Sequence, residues 1–106
     1  MGATFTFLAD LLQEAEPPAD GILSRTIHQD ERSKFVLFGF GPGQEPSEHT
    51  ATMPAALRFL SGRATVRLGI ASKEAGPGTF VHMPAGLAHA IRAEEPTVML
   101  LVLFKG

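Results

Sequence analysis

Apolar residues near the N-terminus recur on one face of a helix. Phe7, Leu8, Leu11, Leu12 and Ala15 follow the i, i+1, i+4, i+5, i+8 spacing of an α-helix. Pro17-Pro18 ends the pattern, because proline cannot continue a helix. The pattern predicts a short N-terminal helix of about two turns that packs against the rest of the chain. We assign residues 1–20 to this helix and a linker.

From Ile22 onward the apolar period changes to two, which is typical of strands. The clearest example is Arg63–Ile70, where Ala, Val, Leu and Ile alternate with Arg and Thr, which predicts a half-buried strand. The predicted strands are Ile22–His28, Lys34–Phe40, Ala56–Ser61, Arg63–Ile70, Thr79–Met83, His89–Arg92 and Thr97–Phe104. Turn residues separate them, and spacings of 8–12 residues favour an antiparallel sandwich or small barrel over residues 21–106.

Composition strengthens this prediction of an all-β fold. The 106 residues suit one domain, and 44% of them are hydrophobic, which excludes a disordered chain. Glycine and proline contribute 11 and 8 residues. A helical bundle disfavours so many helix breakers, whereas many short strands joined by tight turns use them.

Several partner classes are excluded by charge and residue content. The net charge of -2, with scattered basic residues, predicts no nucleic-acid partner. The longest apolar run, Val98–Phe104, is too short to cross a bilayer, so we predict no membrane association. No basic residue precedes Arg25 and no apolar leader block is present, so we expect a cytoplasmic protein. The chain has no cysteine, which excludes disulfides and thiolate ligands.

Two histidines stand in recognisable surroundings of glycine and proline. Gly43, His49 and Gly62 fall on one spaced motif, and a second motif contains Gly78, Pro84, Gly86 and His89. In order and spacing this pair of motifs resembles the two signatures of the cupin superfamily. The resemblance implies a small single-domain, RmlC-like cupin, a double-stranded β-helix (jelly-roll) barrel.

Departures from the cupin pattern concern the metal ligands. The resemblance implies a site of three histidines and one carboxylate, but Ala51 and Ala55 stand where the second histidine and the glutamate fall, and Ala93 replaces a trailing asparagine. Only His49 and His89 remain as metal ligands. We therefore expect at most a reduced site for one divalent transition metal: zinc, iron, nickel or manganese.

Two further residues are candidates to complete the site. Glu48 is adjacent to His49, and neighbouring strand residues point to opposite faces, so it reaches inward only through a bulge. His82 lies on the strand that leads into the second motif. The face that His82 occupies stays open, because Phe80 and His82 on one side are about as apolar as Val81 and Met83 on the other.

The alternation of inward-facing and outward-facing residues along the first motif predicts an apolar pocket. If His49 points into the barrel, then Ala51 does too, and the cupin register places Ala55, Leu57 and Phe59 on the same inner face. Methyl groups in place of metal ligands leave volume in the middle of the barrel. We expect a small organic molecule to bind there. The candidate ligand-binding residues are His49, His89, His82, Leu57, Phe59 and Glu48.

Three functions are consistent with these residues. The first is a small-molecule pocket with at most a reduced metal site, and the alternative is a metal-dependent enzyme, a dioxygenase or isomerase. A third is metal-free proton transfer by the two histidines. The cupin sugar epimerases pair a histidine with a tyrosine, and this chain has no tyrosine, so that mechanism does not carry over. Whether the protein is an enzyme stays open, and no catalytic residue is assigned.

Surplus apolar residues predict self-association. The last strand is apolar on both faces, and eight phenylalanines exceed what the interior of a small barrel needs. The resemblance also implies a homodimer, formed by sheet extension or by face packing.

Overall fold

The computed structural model describes residues 3–45 and 49–106, with His49 and Thr50 described by their backbone. It contains one short helix and nine strands within these ranges. Their bounds are α1 Leu11–Glu14, β1 Ile22–Gln29, β2 Ser33–Phe40, β3 His49–Thr50, β4 Ala55–Ser61, β5 Ala64–Leu68, β6 Ala71–Ala75, β7 Phe80–Met83, β8 Ala88–Ala93 and β9 Thr97–Phe104. The predicted all-β fold is confirmed.

The strands form two antiparallel sheets. A five-stranded sheet has the order β1-β2-β9-β4-β7, and a four-stranded sheet has the order β3-β8-β5-β6. Strands that are distant in sequence are neighbours in both sheets: β2 pairs with β9, and β5 pairs with β8. This arrangement is the jelly-roll barrel that the resemblance implies.

The inner faces of the two sheets form the main core. Alternate residues of β4 are buried there, with Leu57 and Phe59 at 1% and 0% exposure. From the opposite sheet, Val66 of β5 and Ile91 of β8 pack into the same cluster. The predicted alternation along β5 is confirmed at Ala64 and Val66, which are buried, and at Arg67, which is exposed.

A second, smaller core lies on the outer face of the five-stranded sheet. Leu37 of β2 and Val98 of β9 point outward there, yet they are 0% and 2% exposed. The N-terminal segment covers them, with Ala15 buried and Leu11 packed beside it. The contact at Gly39 of β2 is so close that an added Cβ would lie 2.5 Å from the carbonyl oxygen of Ala15.

The N-terminal helix is shorter than the sequence predicts. It spans one turn, Leu11–Glu14, with the Asp10 carboxylate capping it by accepting a hydrogen bond from the Leu12 amide at 3.0 Å. The residues before it form no helix, and Phe7 and Leu12 of the predicted apolar face are exposed. Short helices have marginal stability in isolation. Packing of the N-terminal segment on the sheet therefore determines its conformation here.

The structure differs from the sequence prediction at two points around the β5–β6 connection. The alternation predicts Ile70 on the buried face of the strand, but β5 ends at Leu68, and Ile70 lies in the turn with its side chain fully exposed. Strand β6 is not predicted by the sequence, because four of its five residues are exposed and it shows no apolar alternation.

No helix within the described residues is long and apolar enough to span a membrane. The division of the chain into residues 1–20 and 21–106 stays a prediction.

Candidate functional site

A small cavity of about 120 Å³ lies between the two sheets. It is bounded by strands β2, β4, β7, β8 and β9, and by the residue that follows β3. Its lining is almost wholly apolar and consists of Phe38, Phe40, Ala51, Ala55, Leu57, Met83, His89, Ile91, Met99, Leu101 and Leu103. Among the lining side chains that the structure describes, the imidazole of His89 is the polar one.

His89 is held in the cavity wall by its position on β8. The side chain is 5% exposed, and Nδ1 lies 3.0 Å from the carbonyl oxygen of Leu87. A carbonyl oxygen only accepts, so Nδ1 carries the proton and donates this hydrogen bond. In the neutral ring the lone pair is therefore on Nε2, the nitrogen that can accept a hydrogen bond or bind a metal ion.

The backbone of His49 is directly opposite that of His89. Strand β3 pairs antiparallel with β8, with His49 in register with His89 and Thr50 in register with Ala88. The structure thus brings the two sequence-predicted histidines to adjacent strands. Glu48, the other candidate from the first motif, lies outside the described residues.

The alanines that replace cupin ligands are in the cavity wall. Ala51 and Ala55 line it, so methyl groups stand where the cupin pattern has an imidazole and a carboxylate. Ala93, in place of the trailing asparagine, is fully buried in the core. Among the described residues there is no group of three or more His, Cys, Asp or Glu side chains that could hold a metal ion. These residues do not fit a four-ligand metal site.

His82 lies on the outer face of the five-stranded sheet. Its neighbour Met83 is 2% exposed and lines the cavity, whereas His82 itself is exposed and its ring centroid is 6.5 Å from that of Phe104. Successive strand residues point to opposite faces, so Met83 fixes His82 on the outside. The placement of His82 among the pocket residues is therefore corrected.

The two apolar candidates have different positions. Leu57 lines the cavity as proposed from the sequence, whereas Phe59 is fully buried deeper in the core and is not part of the lining. Most of the remaining wall is not predicted by the sequence. Strands β2 and β9 supply it, namely Phe38, Phe40, Met99, Leu101 and Leu103. Both strands are apolar on both faces, so their sequences carry no signal for which residues face inward.

Fold, motif spacing and the position of His89 together define a cupin barrel. The cupin domain family (Cupin_2) matches residues 36–104, about two-thirds of the chain. The protein therefore belongs to the cupin family.

Relatives support this assignment at the level of fold and family. A crystal structure of a conserved protein of unknown function from Streptococcus pyogenes, SPY1581, superposes with a TM-score of 0.87 at 33% identity, covering 98% of this chain and 91% of that one. A cupin superfamily protein from Desulfitobacterium hafniense, DSY2733, has a TM-score of 0.81 at 24% identity over 86% and 84% of the two chains, which shows the fold alone.

A relative known from sequence covers nearly the whole chain. The uncharacterized protein SCO3923 of Streptomyces coelicolor is 26% identical over 99 residues, which is 92% of each chain. The match extends well beyond the region of the two motifs, so the resemblance includes much of the rest of the chain.

Proposed function

We propose that this cupin binds a small, mainly apolar organic molecule in the cavity between its sheets. The observation that carries the proposal is the described part of the lining, in which apolar side chains surround the buried imidazole of His89. Small-ligand sites are commonly built in this way, with apolar walls and few polar groups that orient the ligand.

The size of the cavity limits the ligand. A dry apolar cavity of about 150 Å³ holds a benzene molecule. The cavity here, at about 120 Å³, is slightly smaller. We infer a ligand of about the size of benzene, either a single small ring or a short branched chain. Larger substrates would require the side chains of the wall to move.

In this proposal, His89 selects ligands that carry a hydrogen-bonding group. Because Nδ1 donates to Leu87, the accepting nitrogen of the neutral ring is Nε2. We propose that a hydroxyl or amine group of the ligand is oriented by His89 together with His49, whose backbone is its register partner. A ligand with such a group would gain a hydrogen bond in the site that an unsubstituted hydrocarbon lacks.

The alternative function, a metal-dependent enzyme, is supported by the register of His49 and His89 on adjacent strands. Two imidazoles could bind one divalent metal ion, and in this function the ion would act as a Lewis acid toward a bound substrate. Ala51 and Ala55 in the cavity wall favour the binding function, because two neutral ligands form a weaker site than the usual three or four.

Titration of phenol and benzene against the isotope-labelled protein tests the binding proposal. We expect shifts of backbone amide resonances in β4, β8 and β9, with a phenol dissociation constant below about 1 mM, or about -4 kcal/mol. Phenol should bind several-fold more tightly than benzene, and His89→Ala should remove that difference. Absence of shifts for both compounds up to their solubility limits would overturn the proposal.

A pair of alanine variants separates cavity binding from surface binding. Ala55→Leu adds three carbon atoms inside the cavity and should abolish phenol binding, since Ala55 is 2% exposed in the wall. Ala90→Leu makes the same change on β8, on the outer side of the four-stranded sheet, and should leave phenol binding intact. Equal loss in both variants would contradict a site in the cavity.

Metal analysis of untagged protein decides between the two functions. The binding function predicts less than about a tenth of an equivalent of zinc, iron, nickel or manganese, and phenol binding that survives dialysis against a chelator. Stoichiometric metal that is lost in both His49→Ala and His89→Ala would instead establish the metal-dependent alternative.

A further inference from the structure

A surface cleft lies between the N-terminal segment and the β1–β2 hairpin, away from the cavity between the sheets. Its volume is about 550 Å³. Small-molecule sites usually have volumes of about 300–1,000 Å³. Three polar side chains of the cleft, those of Thr6, His28 and Asp30, are joined by hydrogen bonds. None of the three lines the cavity, so the cleft is a separate place to look for chemistry.

The three polar side chains form a hydroxyl–imidazole–carboxylate series. Oγ1 of Thr6 lies 2.9 Å from Nδ1 of His28, and Nε2 of the same ring lies 2.9 Å from Oδ2 of Asp30. The carboxylate only accepts, so Nε2 carries the proton of the neutral ring, and Nδ1 is left to accept from the Thr6 hydroxyl. A nucleophile within hydrogen-bond reach of a base, with the base oriented by a third group, is the arrangement that activates a hydroxyl for covalent catalysis.

The carboxylate and the imidazole are held in position by their surroundings. Oδ1 of Asp30 accepts hydrogen bonds from the backbone amides of Arg32 and Ser33 at 2.8 and 2.9 Å, and from the Ser33 hydroxyl at 3.2 Å. Oδ2 is thereby directed to His28. Phe35 contacts the imidazole edge-on, at a centroid distance of 5.7 Å. Such supporting contacts are what keep catalytic groups in a productive geometry before the substrate binds.

The rest of the cleft indicates the class of substrate. Thr6 is exposed, and the side chain of His28 keeps 38% of its exposure, so a substrate can reach both. Beside them the wall is apolar and suits a hydrocarbon chain. The negative charge of Asp30 repels an anionic group. These properties select neutral esters of short apolar carboxylic acids. The apolar wall consists of Leu8, Leu11, Ile27 and Phe35.

We propose that this cleft hydrolyses such esters, with Thr6 as the nucleophile, His28 as the general base and Asp30 as a positioning residue. In the first half of the reaction, Oγ1 of Thr6 forms a bond to the carbonyl carbon of the ester and passes its proton to Nδ1 of His28. The bond from that carbon to the alcohol oxygen then breaks, and Nδ1 gives the proton to the leaving alcohol. The acyl group stays on Thr6 as an ester.

Water completes the reaction. A water molecule forms a bond to the acyl carbon and passes one proton to Nδ1 of His28. The bond to Oγ1 of Thr6 then breaks, Oγ1 recovers a proton from Nδ1, and the carboxylic acid leaves. The sum is ester plus water giving alcohol plus acid. In both halves the imidazole is transiently positive, and the carboxylate of Asp30, 2.9 Å from Nε2, stabilises that charge.

Release of p-nitrophenolate from p-nitrophenyl butyrate tests the activity. General-base catalysis contributes about 10²–10⁴-fold, so Thr6→Val and His28→Gln should each lower the protein-dependent rate by about 100-fold or more. Thr6→Ser keeps the hydroxyl and should keep the activity. Thr4→Val and His82→Gln are the matched controls, because both residues are exposed and lie outside the cleft, and both variants should have the wild-type rate. No rate above that of buffer, or equal rates for wild type and Thr6→Val, would overturn the proposal.

Mass spectrometry locates the acyl group. After acid quenching within the first turnover, peptide mapping should find a butyryl group on Thr6 in the wild type and none on that residue in His28→Gln. The comparison also separates catalysis from chemical modification, since lysine side chains react with activated esters on their own. Butyryl groups on lysines alone, in wild type and Thr6→Val alike, would refute Thr6 as the nucleophile.

The role of Asp30 is tested on the ring that it orients. An asparagine amide can donate to Nε2 of His28, which moves the ring proton to Nδ1 and removes the acceptor for the Thr6 hydroxyl. Nitrogen chemical shifts of the imidazole should therefore place the proton on Nε2 in the wild type and on Nδ1 in Asp30→Asn, and the variant should hydrolyse the ester at least about tenfold more slowly. Glu31→Gln, at the next and exposed position, should change neither. An unchanged ring proton with the full rate in Asp30→Asn would refute the positioning role.

Discussion

The Thr6 hydroxyl is hydrogen-bonded to Nδ1 of His28 at 2.9 Å, although 22 residues separate them in the sequence, and with a neutral imidazole the hydroxyl is the donor. The direction follows from the other side of the ring. There Nε2 lies 2.9 Å from a carboxylate oxygen of Asp30, which only accepts, so the neutral ring has its proton on Nε2. Phe35 contacts the same ring edge-on, at a centroid distance of 5.7 Å. The hydrogen bonds that link Thr6, His28 and Asp30 anchor the N-terminal segment to the β1–β2 hairpin.

Removing the Thr6 hydroxyl should weaken the attachment of the N-terminal segment to β1. Thr6→Val keeps the shape of the side chain but deletes the donor, and a solvent-exposed hydrogen bond contributes about 0.5–1 kcal/mol. We expect the free energy of unfolding to fall by about that amount in urea titrations followed by far-UV circular dichroism. Circular dichroism is the appropriate probe, because the chain lacks tryptophan and tyrosine. Thr4→Val, two residues earlier at another exposed position, should be neutral. Equal stability of wild type and Thr6→Val would argue against anchoring.

Asp30 should make the stability of the protein depend on acidic pH. The hydrogen bond from His28, followed by those from the backbone amides of Arg32 and Ser33, holds the pKa of Asp30 well below its ordinary value of 3.8. A carboxyl group with a lowered pKa stabilises the folded state above the unfolded pKa, and this contribution is lost as pH falls through the folded pKa. The stabilisation is therefore fully present above about pH 5 and declines below about pH 4.

The test compares wild type with Asp30→Asn by urea unfolding between pH 3 and pH 7. The difference in free energy of unfolding should be largest near neutral pH and should shrink as the pH approaches 3. Glu31→Gln removes the adjacent, exposed negative charge and is the matched control, for which we expect a smaller change with pH. A difference for Asp30→Asn that grows on acidification would have the wrong sign and would refute the assignment.

The sequence predicts the fold well where one face of a strand is buried and the other is exposed to solvent. Strand β5 shows this: Val66 is buried and Arg67 exposed, as its alternation indicates. The glycine and proline positions of the two motifs can likewise be assigned from the sequence, because they depend on spacing. Prediction fails at Ile70, where an apolar residue continues the alternation beyond the last residue of the strand.

The candidate site is harder to predict because the five-stranded sheet is apolar on both sides. Leu11 and Ala15 of the N-terminal segment pack on its outer face, so outward residues such as Leu37 and Val98 are as apolar as those of the cavity wall. The same property leaves the face of His82 undecided in the sequence. Covering of a sheet by a sequence-distant segment is a tertiary effect that local periodicity does not encode.

Enlarging the cavity should weaken the fold and widen its ligand range. Met83 is 2% exposed and lines the cavity, so Met83→Ala removes packed atoms and leaves a larger void. Such substitutions destabilise proteins by about 2–5 kcal/mol. Toluene, which has one carbon atom more than benzene, should raise the melting temperature of Met83→Ala more than that of wild type, because a ligand that binds only the folded state stabilises it.

The control for this prediction is Ile70→Ala, which truncates an equally apolar side chain that is fully exposed. Its stability should stay within about 0.5 kcal/mol of the wild type. If Met83→Ala is destabilised but toluene protects it no better than the wild type, then the new space is not accessible to ligands, and the cavity is not the binding site.

Alanine substitutions at two glycines in turns distinguish the effect of backbone strain on stability from that of steric crowding. Gly62 and Gly78 have φ values of +84° and +91°, so alanine at either position is strained by about 1–2 kcal/mol. An added Cβ at Gly62 would lie 2.1 Å from the Pro96 carbonyl oxygen, whereas at Gly78 nothing lies within 4 Å. The clash at Gly62 is with backbone, which must shift. We therefore expect Gly62→Ala to lose at least about 2 kcal/mol more free energy of unfolding than Gly78→Ala, or to fail to fold. Equal losses in urea titrations would mean that the β4–β5 turn does not pack against the start of β9 as the structure shows.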